Sequence, residues 1–311
     1  MDFVPLRIKT VQPDTELSFD LYIYYKDHYL CYAERGNALT TAKLEKLINQ
    51  DMADFYVPEE QVDNVTLFLD EALNEAIYGE GKSLEERVDV VSEVAAQSIE
   101  RMNEEASHKN YDMTQKAASG LRTVIKNNPN ALKKLFGQKT KESDLIINHS
   151  INVCALATRL GEHLRFKEDE IDDLATAALL HDIGLTKLKV EDLPLFEKEA
   201  TAHTPDERLR YSQHIKLSQN FLNGKDFISK RVEDLVNHHE EDLTGLGPLK
   251  VRKLTPLQEC LSLCNAFDKR LIVKKESPKE AYKVFQLDYI GRYNLELIQR
   301  FEAVLVEEGL L

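Results

Sequence analysis

The sequence predicts a mainly α-helical protein, in which a small N-terminal α+β unit is followed by an all-α helical bundle. Residues with the side chains and partial alternation of β-strands, such as 21–25 (Leu-Tyr-Ile-Tyr-Tyr), occur in the first 80 or so positions. From Ser83 onward the strand signals vanish and apolar residues recur at helical spacing. We therefore expect an α+β domain over residues 1–80, a connecting helix over 81–110 and a helical domain over 111–311.

Composition limits the classes of function. The 311 residues are 42% hydrophobic and 30% charged, as in a globular protein, and the formal charge of −14 argues against general nucleic-acid binding. No apolar run approaches the roughly 20 residues of a membrane span, and the N-terminus lacks the features of a secretory signal. The four cysteines are scattered without a CxxC pattern, which predicts a reducing, cytoplasmic location.

Within the first unit, the strand-like segments are 3–11, 17–33 and 55–57, and a polar Lys26-Asp27-His28 turn predicts a hairpin in the second. Helices are expected over 42–49 and 59–77, and Gly79 and Gly81 end the unit. The sequence of this unit shows neither a metal-ligand cluster nor a phosphate-binding loop, so its ligand is not predicted.

The second part begins with a capping box, Ser83 with Glu86, which opens a helix of about 25 residues. Its apolar stripe is compatible with a connecting or dimerising helix. Further helices are expected over 112–126, 130–136, 141–164, 168–182, 206–223, 226–240, 255–271, 278–286 and 290–307.

Histidines on the apolar faces of these helices are the main functional signal. His181-Asp182 closes the apolar run 174–180, and buried imidazole and carboxylate are costly unless something binds them. A single such histidine is more often a hydrogen-bonded core residue. Several together with an aspartate favour a metal cluster, and the set comprises His149, His181, His214, His238 and His239. The remaining histidines lie in polar stretches or loops and are interpreted as structural or surface residues.

Three ordered motifs resemble the HD-GYP family of cyclic di-GMP phosphodiesterases, within the HD phosphohydrolase superfamily. They are 178–184 (Ala-Leu-Leu-His-Asp-Ile-Gly), Glu207 with His214, and 237–240 (Asn-His-His-Glu) followed by 245–248 (Gly-Leu-Gly-Pro). The resemblance covers about residues 140–290. The N-terminal unit resembles, more weakly, the accessory or sensory domain attached to some such proteins.

The resemblance implies two divalent metal ions, iron or manganese, bridged by Asp182 and a water, with Asp182 as the catalytic residue. It implies one set of ligands from His149, His181 and Asn265 and another from His214, His238 and His239. Lys187 and Lys274 are candidates for contacting substrate phosphate, although an exposed structural role is the simpler interpretation of each lysine.

The sequence also departs from the family pattern. Asn265 stands where the family has an aspartate, and an amide brings no negative charge, so Asp268 is the alternative ligand. Leu185 stands where a lysine is expected, and Gly247 precedes Pro248 where the family has tyrosine. Leu145 replaces a glutamate that binds an extra metal in some members, which favours two metals over three.

The leading hypothesis is therefore a dinuclear-metal phosphodiesterase that hydrolyses cyclic di-GMP or a related cyclic dinucleotide. The alternative is a catalytically degenerate member that acts as a metal-containing nucleotide receptor or protein-interaction module. A third interpretation is another HD-type activity such as nucleotide phosphohydrolysis, and the simplest is a purely structural bundle. A homodimer or a signalling partner is compatible with the amphipathic connector.

Overall fold

The computed structural model describes residues 2–138, 144–198 and 202–311. It divides into two compact units, Met1–Gln97 and Ser98–Leu311. The predicted architecture, a small α+β part followed by an all-α bundle, is confirmed. The finer division at residues 80 and 110 stays a prediction.

The first unit contains a four-stranded antiparallel sheet with strand order β1-β4-β2-β3. The predicted hairpin joins β2 to β3, and its turn places Lys26 and Asp27 at φ values of 48° and 63°, the left-handed geometry that suits a tight hairpin. The elements are β1 (Phe3–Arg7), β2 (Leu21–Tyr25), β3 (His28–Ala33), α1 (Thr41–Ile48), β4 (Asp54–Pro58) and α2 (Val62–Tyr78).

The helix α3 (Leu84–Glu104) follows, and its apolar stripe is buried within the chain itself, with Val91 and Met102 both at 0% exposure. The stripe is therefore not a free dimerising face, and a homodimer gains no support from it. Among the described residues, no helix combines the length and apolarity needed to cross a membrane.

The helical unit continues with ten further helices among the described residues: α4 (His108–Asn127), α5 (Ala131–Phe136), α6 (Leu145–His163), α7 (Glu168–Leu180), α8 (Pro205–Tyr211), α9 (Gln213–Leu222), α10 (Lys230–His238), α11 (Pro256–Lys274), α12 (Pro278–Asp288) and α13 (Leu295–Glu307). The predicted start of α6 at 141–143 lies outside the described residues. The central helices α6 and α7 are apolar along most of their length, and they form the core onto which α11 packs.

The predicted helix over 206–223 is instead two helices, α8 and α9, that meet at Ser212. The side chains of Ser212 and Gln213 both donate to the carbonyl of Leu209, at 2.9 and 3.3 Å, and so compete with the backbone for that acceptor. The break reorients the chain just before His214.

Gly184 allows α9 to approach the turn that follows Asp182. A Cβ at this position would overlap the backbone of His214 and Ser218. The Gly184 amide donates to Ser218 Oγ at 2.9 Å, which fixes α9 against the 3-10 turn Ile183–Lys187. Glycine in the His-Asp-Ile-Gly motif therefore brings His214 within reach of Asp182.

Candidate metal centre

Six buried polar side chains from separate segments converge inside the helical unit. His149 lies on α6, His181 and Asp182 follow α7, His214 lies on α9, His239 follows α10 and Asn265 lies on α11. All six are between 0 and 3% exposed. The sequence predicted the convergence of the histidines and Asp182 from their apolar surroundings, and the family resemblance implied that of Asn265.

The two oxygens of Asp182 each face a different pair of histidines. Oδ2 lies 3.6 Å from His149 Nε2 and 3.4 Å from His181 Nε2. Oδ1 lies 3.5 Å from His214 Nε2 and 3.3 Å from His239 Nε2. The centre is thus two triads of ligand atoms that share one carboxylate.

The spacing of these atoms fits a metal ion in each triad. Ligand atoms at about 2.1 Å from a cation and about 90–110° apart are separated by about 3.0–3.4 Å. The two histidine pairs are separated by 3.1 Å (His149 Nε2 to His181 Nε2) and 3.3 Å (His214 Nε2 to His239 Nε2).

The protonation of the four imidazoles strengthens this conclusion. The Nδ1 atoms of His181, His214 and His239 lie 2.6–2.7 Å from backbone carbonyls, which only accept, so each Nδ1 carries the proton. His149 Nδ1 likewise donates to Asp268 Oδ2 at 2.7 Å. In the neutral rings all four Nε2 atoms therefore present lone pairs to one another, an arrangement that a cation would stabilise.

Asp182 contributes the negative charge that such cations need. Among the described residues its Oδ1 has no hydrogen-bond partner, although the atom is buried. Burial acts to raise the pKa of Asp182, but His181 and His239 outweigh it and hold the pKa well below its usual range. A buried, ionised carboxylate oxygen that faces imidazole nitrogens and accepts no hydrogen bond has the chemistry of a metal ligand.

The pKa values of the histidines differ with their surroundings. Burial lowers the pKa of His214 to about 4, so this ring stays neutral at physiological pH and its Nε2 is available as a ligand. Burial acts to lower the pKa of His181, but the charge and hydrogen bond of Asp182, together with the Ala178 carbonyl, outweigh it, and the pKa of His181 is raised. A proton therefore competes with a metal more strongly at His181 than at His214.

Asn265, not Asp268, faces the two triads. Asn265 Oδ1 lies 2.9 Å from His149 Nε2, while its Nδ2 donates to the carbonyl of His239 at 3.2 Å. Asp268 lies behind His149 and also accepts from Asn152 at 3.0 Å. In this geometry Asp268 orients an imidazole and raises its basicity, as carboxylates often do behind a metal-binding histidine.

Three residues lie beside the triads: Glu240 belongs to the 237–240 motif, whereas Lys269 and Tyr211 carried no recognisable signal in the sequence. Lys269 Nζ contacts the hydroxyl of Tyr211 and lies 3.1 Å from Glu240 Oε1. The Tyr211 ring packs 4.6 Å from that of His214. Burial opposes ionisation of Glu240, but Lys269, together with His239 and His214, outweighs it and lowers the pKa of Glu240 to about 2, so this ion pair is charged.

Other predicted site residues lie apart from the triads. His238 is half-buried, and its Nδ1 donates to the Asp234 carbonyl at 2.7 Å. Lys187 donates to the Asn103 carbonyl at 2.5 Å and lies over the Phe221 ring. Lys274 is exposed at the end of α11, about 13 Å along the helix axis from Asn265. The structure does not bring these three side chains into the triads.

Two departures from the family pattern have a physical reason here. Leu185 is fully buried in an apolar cluster with Leu195, Phe196 and Tyr211, against which Leu145 packs. This cluster borders both triads, since the Phe196 ring lies 5.3 Å from that of His149 and the Tyr211 ring 4.6 Å from that of His214. It surrounds positions 185 and 145 with hydrocarbon, where a charged side chain would be desolvated.

The loop around Gly247 is equally constrained. A Cβ at Gly247 would overlap the Glu241 carboxylate, which accepts from the amides of Leu249 and Val251 at 2.6 and 2.8 Å. The loop is thus built around Glu241 and leaves no room for a tyrosine at this position.

Glu207 has a structural role. It closes the capping box of α8, accepting from the Thr204 amide at 2.8 Å and from Lys198 Nζ at 2.7 Å. These hydrogen bonds, led by that of Lys198, lower the pKa of Glu207 to about 2. The residue stabilises the start of the helix that leads to His214.

Comparison with known proteins agrees with this geometry. The family model described as HD domain matches residues 121–282, which is more than half of the chain. The chain belongs to the HD domain family. The resemblance to the HD-GYP family that the motifs indicated is confirmed by this match together with the two similar proteins below.

A relative from Pseudomonas aeruginosa, named cyclic di-GMP phosphodiesterase PA4108, is 30% identical over 143 residues. The match spans 45% of this chain and 33% of the relative, so the chain covers about a third of that protein's length. The solved structure of Bd1817, a HDG"Y"P protein from Bdellovibrio bacteriovorus, has the same fold, with a TM-score of 0.78 and 22% identity over 98% of this chain and 100% of that one.

Proposed function

We propose that this protein is a dinuclear-metal phosphodiesterase that hydrolyses cyclic di-GMP or a related cyclic dinucleotide. Membership of a phosphohydrolase family, and a relative named as a cyclic di-GMP phosphodiesterase, support hydrolysis of a phosphate ester. The observation that carries the proposal is the pair of triads that share Asp182, because two adjacent cations suit in-line attack on a phosphodiester.

In this proposal each side chain has a distinct task. His149 and His181, with Asn265 Oδ1, would hold one cation, and His214 and His239 would hold the other. Asp182 would contribute one oxygen to each set and is the proposed catalytic residue. Divalent iron or manganese would lower the pKa of a shared water and neutralise charge on the substrate phosphate.

Lys269 supplies positive charge beside the second triad. Its Nζ lies 4.1 Å from the centre of the Tyr211 ring, and Tyr211 belongs to the same cluster as Leu185. We propose that this cation, delivered from α11, acts in place of the lysine absent at position 185. It keeps Glu240 ionised and holds Tyr211 against His214.

The test is hydrolysis by protein reloaded with iron(II) or manganese(II). We expect turnover of cyclic di-GMP, cyclic GMP-AMP or both, and no turnover by the Asp182→Asn variant. A contaminating phosphodiesterase would hydrolyse the substrate equally in the wild-type and the Asp182→Asn preparations. Failure to cut any cyclic or linear dinucleotide, with both metals bound, would refute the enzymatic proposal.

The second candidate is a metal-containing nucleotide receptor, and Asn265 is the observation that favours it. The amide is fixed by its hydrogen bond to the His239 carbonyl, and an aspartate there would place a carboxylate oxygen against that carbonyl at 3.2 Å. The local structure is thus adapted to asparagine, and the centre has one negative charge fewer than it would have with the family's aspartate. Binding of cyclic di-GMP by metal-loaded protein without product formation would select the receptor.

We further propose a cytoplasmic location with a signalling role. All four cysteines are free, and Cys260 and Cys264 stay unpaired although one helical turn separates them. Fractionation of cells that express the tagged protein at native level tests the location.

A further inference from the structure

In the first unit, one side of the sheet is covered with aromatic rings that face the solvent. Alternation along the strands buries Leu6, Leu21, Phe55 and Val57 on one side of the sheet, each at 0% exposure. The opposite side presents a set of rings that we call the aromatic face: Phe3, Tyr22, Tyr24, Tyr29 and Tyr56.

The rings form one continuous surface. Phe3 stacks on Tyr29 at 4.0 Å between ring centres, and Tyr29 lies 5.0 Å from Tyr24 and 5.1 Å from Tyr56. Tyr24 and Tyr29 are 48% and 40% exposed. A contiguous patch of partly or fully exposed aromatic side chains commonly marks a binding surface. At surface positions that bind nothing, polar side chains are the usual choice.

The unit that carries this face is acidic, and several of its carboxylates lie close to the rings. Residues 1–97 contain 20 Asp and Glu against 8 Lys and Arg, a formal charge of −12 out of the total −14. The Tyr24 hydroxyl donates to Asp27 at 3.3 Å. Burial raises the pKa of Tyr22, and the charges of Asp20, Glu60 and Glu34 add to that rise.

Aromatic rings bordered by carboxylates match one ligand chemistry. Arginine and lysine side chains bind to the faces of tyrosine rings and form charge-assisted hydrogen bonds with carboxylates. The same charge repels the phosphates of nucleic acids, and it repels the identical face of a second copy of this chain. A cationic protein segment is the occupant that both features favour.

We propose that the aromatic face is the docking site for an arginine- or lysine-rich segment of a partner protein. The rings provide stacking area for the basic side chains, and the carboxylates at the border provide the charge. The sequence predicted an accessory or sensory role for this unit. In this proposal, that role is to bind a basic partner protein.

The test uses the full chain and a fluorescein-labelled peptide of alternating arginine and glycine, followed by fluorescence anisotropy at physiological salt. Replacing Tyr24 and Tyr29 with serine leaves the net charge unchanged. We expect this double variant to bind the peptide about fivefold to thirtyfold more weakly. The matched control replaces two exposed residues of α2 with serine, in the double variant Leu67→Ser with Tyr78→Ser. Leu67 is 61% exposed and Tyr78 is 74% exposed. This control should change affinity by less than about twofold.

A second pair of variants tests the charges in case the first pair unfolds. Glu34→Gln with Glu60→Gln should weaken binding more than Glu71→Gln with Glu80→Gln, which removes equal charge elsewhere on the unit. The proposal would be overturned if each pair of variants and its matched control bound the peptide equally well. The peptide would then be attracted by the overall charge of the unit and not by the aromatic face.

Two further results would also overturn it. One is binding of oligouridylate that depends on Tyr24 and Tyr29, which would make the ligand RNA. The other is self-association in sedimentation velocity that the serine variant abolishes, which would make the occupant a second copy. Far-UV circular dichroism verifies folding of each variant.

Discussion

Replacing Asp268 with asparagine tests how the centre is prepared for metal. Asp268 is buried, and each of its oxygens accepts one hydrogen bond, from His149 Nδ1 at 2.7 Å and from Asn152 at 3.0 Å. An amide has a single oxygen, so one of these two donors must face an NH₂ group. If the NH₂ group faces His149, the imidazole proton moves to Nε2 and blocks the ligand atom.

The expected cost follows from that geometry. Loss of a carboxylate behind a metal-binding histidine typically weakens metal affinity by about 10- to 100-fold, or about 1.4–2.7 kcal/mol. We expect this loss at the triad of His149 and His181, with a smaller change at the triad of His214 and His239. Calorimetric titration of metal-free protein with manganese(II) resolves the two steps.

The control for this variant is Asp288→Asn, which removes a surface carboxylate that pairs with Arg270 at 3.2 Å. It should leave both affinities unchanged. If Asp268→Asn also left both affinities unchanged, His149 would not be a ligand oriented by Asp268, and the reasoning would be wrong.

Three other predictions follow from the same structure. His239→Ala should reduce bound metal from two equivalents to one in elemental analysis, whereas His238→Ala should retain both; the reverse order would contradict the placement of these rings. Lys269→Met should destabilise the protein by roughly 1–3 kcal/mol in urea unfolding, because Glu240 is left charged and part-buried, and Lys269→Arg should recover most of that loss. The pKa of Glu207 is lowered to about 2, so its stabilising effect is complete above about pH 4.5 and is lost as the pH falls toward 2. Glu207→Gln should therefore flatten that acid limb of thermal stability, and an unchanged limb would show that Glu207 does not stabilise α8.

Much of the centre could be predicted from the sequence because its ligands interrupt apolar helices. His149, His181 and His214 each occupy a core position where a polar side chain is costly without a partner, and this signal is local. The sequence placed both His238 and His239 among the ligands, whereas among the described residues only His239 joins a triad. Which of two adjacent residues points inward depends on the exact end of α10. The role of Asp268 was also missed, because it is defined by an imidazole 119 positions away.

Lys269 and the aromatic face also could not be predicted, because both are defined by residues that meet only in the folded protein. Nothing in the order of residues marks Lys269, because its partners Tyr211 and Glu240 come from other segments and meet it only in the folded bundle. Alternation predicted the strands that carry Tyr24 and Tyr29. It did not show which side of the sheet stays exposed, since both sides are rich in apolar residues.

The most direct test of the central claim is anomalous diffraction from crystals grown with manganese(II). The structure predicts two peaks about 3.5–4 Å apart, one on each side of Asp182. One should lie about 2.2 Å from the Nε2 atoms of His149 and His181, and the other at that distance from those of His214 and His239. A single peak that involves only one pair, or peaks elsewhere in the fold, would contradict a shared dinuclear centre.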